Sequence, residues 1–181
     1  MATQFKPTSP AADAAAWASQ SRTPRSTLLT PDLMAMAQGG MAVCLGTCSK
    51  EGWPRVGTGI GCRILANGTL RVIVSRIANV ELLELLSQGQ PLAVTFSTPR
   101  DHRSFQVKSS SAVVRPAISD DLPEMDRQTD ILRVDLIGLG FPPAVARGYV
   151  SFDAQQMVAI EFVPDRVFTQ TPGPGAGGEL K

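Results

Sequence analysis

The sequence predicts a mainly β (α+β) protein, in which antiparallel strands close fully or in part into a small split β-barrel with helices inserted between hairpins. Strand-like runs follow one another with turn signals between them, and helical periodicity is confined to separated stretches. The βαβ alternation of a doubly wound sheet is missing, which removes the simplest dinucleotide-binding architecture. At 181 residues and 43% apolar content, the chain is long enough to bury one ordinary core. One barrel domain is expected over residues 30–169, with an arm at 1–29 and a flexible tail at 170–181.

The arm opens polar and becomes alanine-rich from Ala11 to Gln20, a helix-prone stretch whose one bulky anchor is Trp17. Arg22 and Arg25 after an alanine-rich start also allow a targeting reading, against which Asp13 and the missing arginine-rich face count. Thr30-Pro31-Asp32 places cap, proline and acid in their preferred first-turn positions, and Gly39-Gly40 ends that short helix, expected to lie as a lid on the barrel mouth. Met41 to Ser49, Trp53 to Leu65 and Leu70 to Ser75 then read as three antiparallel strands, joined at Lys50-Glu51-Gly52 and Asn67-Gly68.

An amphipathic helix follows from Arg76 to Gln88, with Val80, Leu82, Leu83, Leu85 and Leu86 at helical spacing and Gly89 as its stop. Pro91 to Thr98 and Phe105 to Pro116 supply further strands across a basic connector that carries Arg100, His102 and Arg103. Asp121-Leu122-Pro123-Glu124 has a capping-box pattern before a helix running to Gly138-Leu139-Gly140, and Phe141-Pro142-Pro143 turns the chain into a short helix near Ala144 to Arg147. Met157 to Val163 is a last strand, Arg166 to Thr169 can pair again, and the Gly/Pro-rich segment 172–178 cannot form a core element.

A net charge of +1 gives no basic field for a nucleic-acid backbone, so a small-molecule partner is expected and nucleic acid is not. No apolar run reaches the length of a membrane span and no signal-peptide core is present, so a cytoplasmic protein without membrane contact is expected. Three cysteines, an odd number, argue against a disulfide framework. Cys44 and Cys48 share a strand face with Cys62 on the neighbouring strand, but zinc needs a fourth ligand and the only histidine is His102. Free, partly buried thiols are the expectation, with no metal.

The candidate site is the corner where the Leu70 strand ends. Ser75 can cap the following helix and Arg76 sits in its first turn, where free backbone N–H groups and the helix dipole favour a phosphate. Ordinary capping beside a solvated arginine is the plainer alternative. The next strands could bring Gln106, whose amide offers donor and acceptor to a heteroaromatic ring, and Lys108; either could instead be a surface or half-buried strand residue. Gly57-Thr58-Gly59-Ile60-Gly61 looks like a dinucleotide loop but lies in a strand, where its glycines fit a bend or a close approach of backbone or ligand. No nucleophile–histidine–acid arrangement and no G-x-S-x-G elbow is legible.

These residues carry a resemblance. Ser75-Arg76-Ile77 at the end of a strand, followed by Phe105-Gln106-Val107-Lys108 on a later one, resembles the FMN-binding split-barrel family related to pyridoxamine 5'-phosphate oxidase, over roughly residues 31–163. The resemblance implies that Ser75 and Arg76 hold a flavin phosphate, that Gln106 meets the flavin or its ribityl chain, and that Lys108 adds positive charge. It also implies a homodimer with FMN at the interface and an oxidoreductase passing hydride between a nicotinamide or small organic substrate and the flavin. Ile77 and Phe105 stand where the family has basic residues, and the segment resembling its vitamin-phosphate site is missing, so the namesake oxidase activity is not expected. Two alternatives remain: a non-enzymatic barrel that senses or stores flavin or haem, and a barrel that uses the deazaflavin F420.

Overall fold

A computed structural model of the chain describes residues 28–180. The helix-prone stretch from Ala11 to Gln20, with Trp17, lies outside the described residues. Helix α1 (Pro31–Ala37) is capped by Thr30, whose hydroxyl accepts from the Leu33 N–H at 3.3 Å. Strands β1 (Ala42–Cys48), β2 (Pro54–Ile64) and β3 (Leu70–Ser75) follow, then a 3-10 turn (Ile77–Asn79) and helix α2 (Val80–Ser87). After β4 (Leu92–Ser97), β5 (Ser104–Ser109) and β6 (Val113–Pro116) come the helices α3 (Asp121–Gly138) and α4 (Pro143–Val150). The chain ends with β7 (Met157–Phe162), β8 (Arg166–Thr169) and the two-residue edge strand β9 (Glu179–Leu180).

The sheet order is β6-β7-β3-β2-β1-β4-β5-β8-β9, and every pair is antiparallel. Topology alone forces this sheet to roll. In the sheet order β7 and β8 are six places apart, about 29 Å if the sheet were flat at ~4.8 Å per strand. Yet Phe162 and Arg166 are joined by four Cα steps, which span at most about 15 Å. The seam carries side-chain and loop bonds: Ser109 Oγ donates to the Val163 carbonyl at 2.9 Å, and the Asp165 N–H donates to the Lys108 carbonyl at 2.8 Å. The expected antiparallel split barrel is therefore present.

Alternation decides what fills it. Val43, Leu45, Val72, Val74, Val94, Phe96, Phe105, Val107 and Ile160 point inward into one core, joined by Leu82 and Leu86 of α2. Among the apolar side chains of the stretch expected to be one helix from Arg76, only that i, i+4 pair is buried, and Val80 is half-exposed. The run expected as one strand from Phe105 to Pro116 is two strands on either side of that seam. The break falls where the Ser109 hydroxyl donates to the Ser111 and Val163 carbonyls, which releases the chain from β4 and sends it to β7.

A second layer lies outside. Helix α3 packs on β2, with Met125 over Ile73, Met157 and Ala159. Gln128 holds it there by accepting from Cys62 N–H at 3.0 Å and donating to Cys62 O at 2.7 Å. This contact explains Gly61, where a Cβ would collide with the Gln128 side chain, while a Cβ at Gly57 would strike Asn79 Oδ1. The glycine-rich run is a close-approach strand with a bulge between Gly59 and Gly61.

The capping box expected at Asp121 is not formed. Asp121 is fully buried and accepts from Arg71, Arg63 and the Ile118 N–H. Burial pushes its carboxyl upward, but those hydrogen bonds outweigh burial and hold it below the usual aspartate value. Helix α3 covers the outer face of β2 and β3 and leaves that of β1, β4 and β5 bare, so Cys44 is exposed.

Candidate functional site

The outward face is read through the strand registers. Val74 pairs with Gly59, Gly59 with Val43, Val43 with Phe96 and Phe96 with Phe105. One residue along, Ser75, Thr58, Cys44, Thr95 and Gln106 form a row across five strands, all on the face opposite the core. Ser75 and Gln106 therefore share a face but stand four strands apart, about 19 Å along the curved sheet at ~4.8 Å per strand.

The Ser75 end of the row is built by a chain reversal. The Arg76 N–H donates to the Gln156 carbonyl at 2.8 Å, which ties the exit of β3 to the start of β7. Ser75 Oγ accepts from the Ala78 N–H at 3.5 Å, the outer limit of a hydrogen bond, so the cap expected of Ser75 is weak. The turn is held by buried Asn79. Its amide donates to Ser75 O at 2.8 Å and Thr58 O at 3.2 Å, and its Oδ1 accepts from Thr58 N–H at 3.1 Å. The exposed guanidinium of Arg76 makes no hydrogen bond or ion pair among the described residues.

A cleft of about 320 Å³ opens at this turn, with Ser75, Ala78, Thr58 and the backbone of Gly59 on one side and Thr129, Phe152 and Asp153 on the other. It continues into a larger cleft of about 600 Å³ through the shared residues Ala42, Leu132 and Tyr149. Both volumes lie in the range of small-molecule sites, about 300–1,000 Å³. A phosphorylated ring compound fits this donor set at one end only. Ser75 lines that end and Arg76, the next residue, stands beside it outside the lining, while Asp153, whose carboxylate accepts from Gln155 N–H at 2.9 Å, sets the opposite sign on the far wall.

The β5 end of the row is different. Gln106 Nε2 donates to Thr95 Oγ1 at 2.9 Å and leaves its Oε1 without a partner among the described residues. Lys108 Nζ lies 4.8 Å from the centre of the Phe168 ring, and Arg166, itself bonded to Glu179 at 2.7 Å, lies 4.7 Å from the same ring. Burial and the neighbouring Arg166 charge lower the Lys108 pKa. Within one chain, then, Ser75 and Arg76 are together, Gln106 and Lys108 are together, and the two pairs are not.

Among the described residues no cluster of three His, Cys, Asp or Glu side chains is present, and burial pushes the Cys62 thiol up to about 12. No described helix is long and apolar enough to cross a membrane. Thr58, Thr129, Leu132, Tyr149 and Asp153 were not among the residues expected from sequence. Their proximity comes from α3 packing on β2 and α4 packing on α3, for which the glycine-rich run was a local signal.

No protein-family model matches the chain, and no curated protein matches it in sequence. Solved structures match it in fold. An F420 reductase superposes with a TM-score of 0.50 at 14% identity, covering 77% of this chain and 98% of its own. The chain has the split-barrel fold. Others alike in shape at lower scores include a pyridoxamine 5'-phosphate oxidase-related, FMN binding protein from Nostoc punctiforme (TM-score 0.45, 12% identity, 83% and 89% covered). The heme storage protein HutZ from Vibrio cholerae also superposes (TM-score 0.45, 15% identity, 78% and 94% covered).

Proposed function

We propose that this split-barrel protein is an FMN-binding flavoprotein that acts as an oxidoreductase, with the flavin phosphate at the Ser75–Arg76 turn. The observation that carries the reading is the spare guanidinium of Arg76 at a rigid strand exit whose neighbouring residues line a ligand-sized cleft. Guanidinium to phosphate is a charge-assisted and commonly bidentate contact. Bound FMN would supply hydride chemistry, and the protein binds, orients and electrostatically tunes it. Ser75 Oγ and Arg76 fix the phosphate, Asn79 fixes the turn that presents them, and Leu132 with Phe152 excludes water from the cleft.

A homodimer brings the row's two ends together. If a second copy packs on the bare outer face about a two-fold axis running along β1, the row is reversed on itself, and one subunit's Ser75 faces Gln106 of the partner subunit. The unspent Gln106 Oε1 then meets a ring N–H of the partner's ligand, and Lys108 contributes charge from its side.

The absorption spectrum of the purified protein and its titration with FMN, F420 and haemin test the reading. Flavin bands, or stabilisation by about 2.7 kcal/mol with FMN at a hundredfold over its Kd, are expected. A haem spectrum or stabilisation by F420 alone would replace the cofactor. NADH or NADPH oxidation by the FMN-loaded protein separates an enzyme from a binding protein, which would show affinity without turnover.

A further inference from the structure

The larger cleft lies between the β4–β5 loop and the α3–α4 hairpin, and three independent features mark it. Leu139, Phe141, Val145 and Tyr149 all line it, although each is between 46% and 63% exposed. Apolar side chains left in water around one concavity, with buried Leu132 and Leu136 as its floor, are the signature of a ligand pocket rather than of scattered surface residues. His102, on the opposite rim, is the only non-glycine residue with positive φ among the described residues, at 56°. The loop is locked in that shape by Asp101, which accepts from Thr98 Oγ1, from the Arg103 N–H at 3.1 Å and from Arg103 Nε at 2.9 Å. Such backbone strain persists where surrounding contacts over-determine it and is concentrated at binding sites.

The third feature is charge. Arg100 lines the same rim, and its Nε is 2.7 Å from Asp135 Oδ1 on α3. That contact orients the guanidinium, while its terminal nitrogens make no hydrogen bond among the described residues. The His102 side chain likewise has none. An otherwise apolar pocket thus ends in two nitrogen donors with unspent hydrogen-bonding capacity, one of them permanently charged.

We propose that this cleft is the substrate pocket and that it takes a small aromatic or branched-aliphatic carboxylate, the hydrocarbon part among Leu136, Leu139, Phe141 and Val145 and the carboxylate on Arg100 and His102. This assignment rests on the reading of the adjoining cleft as the cofactor site, which it meets at Ala42, Leu132 and Tyr149. Arg100 and His102 are then the specificity-determining residues, and Asp135 is a positioning residue that acts through Arg100.

The test is a titration of the full chain, with and without FMN, using naphthoate and its uncharged counterpart naphthalenemethanol as probes and calorimetry as the readout. Naphthoate is expected to bind about tenfold or more tightly than the alcohol, in line with a charge-assisted hydrogen bond. Arg100→Gln should erase that preference while the alcohol still binds. Leu139→Glu, which puts a carboxylate into the pocket at an exposed position, should weaken naphthoate more than the alcohol. Equal affinity for the two probes, absence of binding, or a preference that survives Arg100→Gln overturns the proposal. If the naphthoate preference holds but FMN does not bind, the pocket stands and the cofactor reading falls; if FMN binds and the preference is missing, only the pocket falls.

Discussion

Strand β3 carries an arginine near each end of its path, and the two have opposite fates. Arg71, at the start, is buried and spends four of its five N–H donors: it donates to Asp121 at 2.7 and 2.9 Å, to Glu161 at 2.6 Å and to the Pro116 carbonyl at 2.8 Å. Arg76, just past the end, is exposed and has no partner among the described residues. Arg71 ties β3, β6, β7 and the start of α3 into one body, and its charge works for the fold. Arg76 does nothing visible for the fold, and its charge is available to a ligand. The same residue type is structural where its hydrogen-bonding capacity is consumed and a candidate for function where it is not.

The largest expected effect follows from removing the spent partner. Arg71→Ala leaves Asp121 charged and buried without its main donor and should destabilise the protein by about 3–5 kcal/mol, read as a shift of the urea midpoint. The same cluster predicts an acid limit. The folded-state pKa of Asp121 is depressed, so its contribution is present above the unfolded-state value near 3.8 and is lost as pH falls through the lower, folded-state one. Stability measured from pH 5 downward should therefore drop below about pH 4, and Asp121→Asn should flatten that part of the drop while lowering stability at neutral pH.

Asn79→Ala should cost less, about 1–3 kcal/mol, because it leaves Thr58 N–H and two carbonyls without their partner. It should also loosen the Ser75–Arg76 turn, so FMN affinity should fall with stability in this variant. Gln106→Ala removes one half-buried bond to Thr95 and should cost about 0.5–1.5 kcal/mol by thermal melting. Arg76→Ala should change the melting behaviour least, within about 0.5 kcal/mol. A large loss of stability there would erase the contrast between the two arginines.

Much of this was legible in the sequence, because strands announce themselves by alternation. Leu70-Arg71-Val72-Ile73-Val74-Ser75 reads as a strand whether or not Arg71 finds a partner, and Asn67-Gly68 marks its hairpin, with Gly68 at φ 82°. The break between β5 and β6 was hidden because Ser109-Ser110-Ser111 contains neither Gly nor Pro, and the chain is diverted by a hydroxyl bond to Val163, far along the sequence. Asp121 matched a local capping pattern, but a buried guanidinium fifty positions away claimed it. The corner where Ser75 and Arg76 follow one another was readable from a strand ending in Ser-Arg before a helical pattern. The distance between Ser75 and Gln106 was not, since only the strand order sets it.

The most direct measurement is a calorimetric FMN titration of the wild-type protein beside Arg76→Ala. The account predicts that the wild type binds and that the variant, equally stable, binds about ten- to a hundredfold more weakly, the range of a lost charge-assisted hydrogen bond. Equal FMN affinity in the two proteins, or no affinity in the wild type, would contradict it.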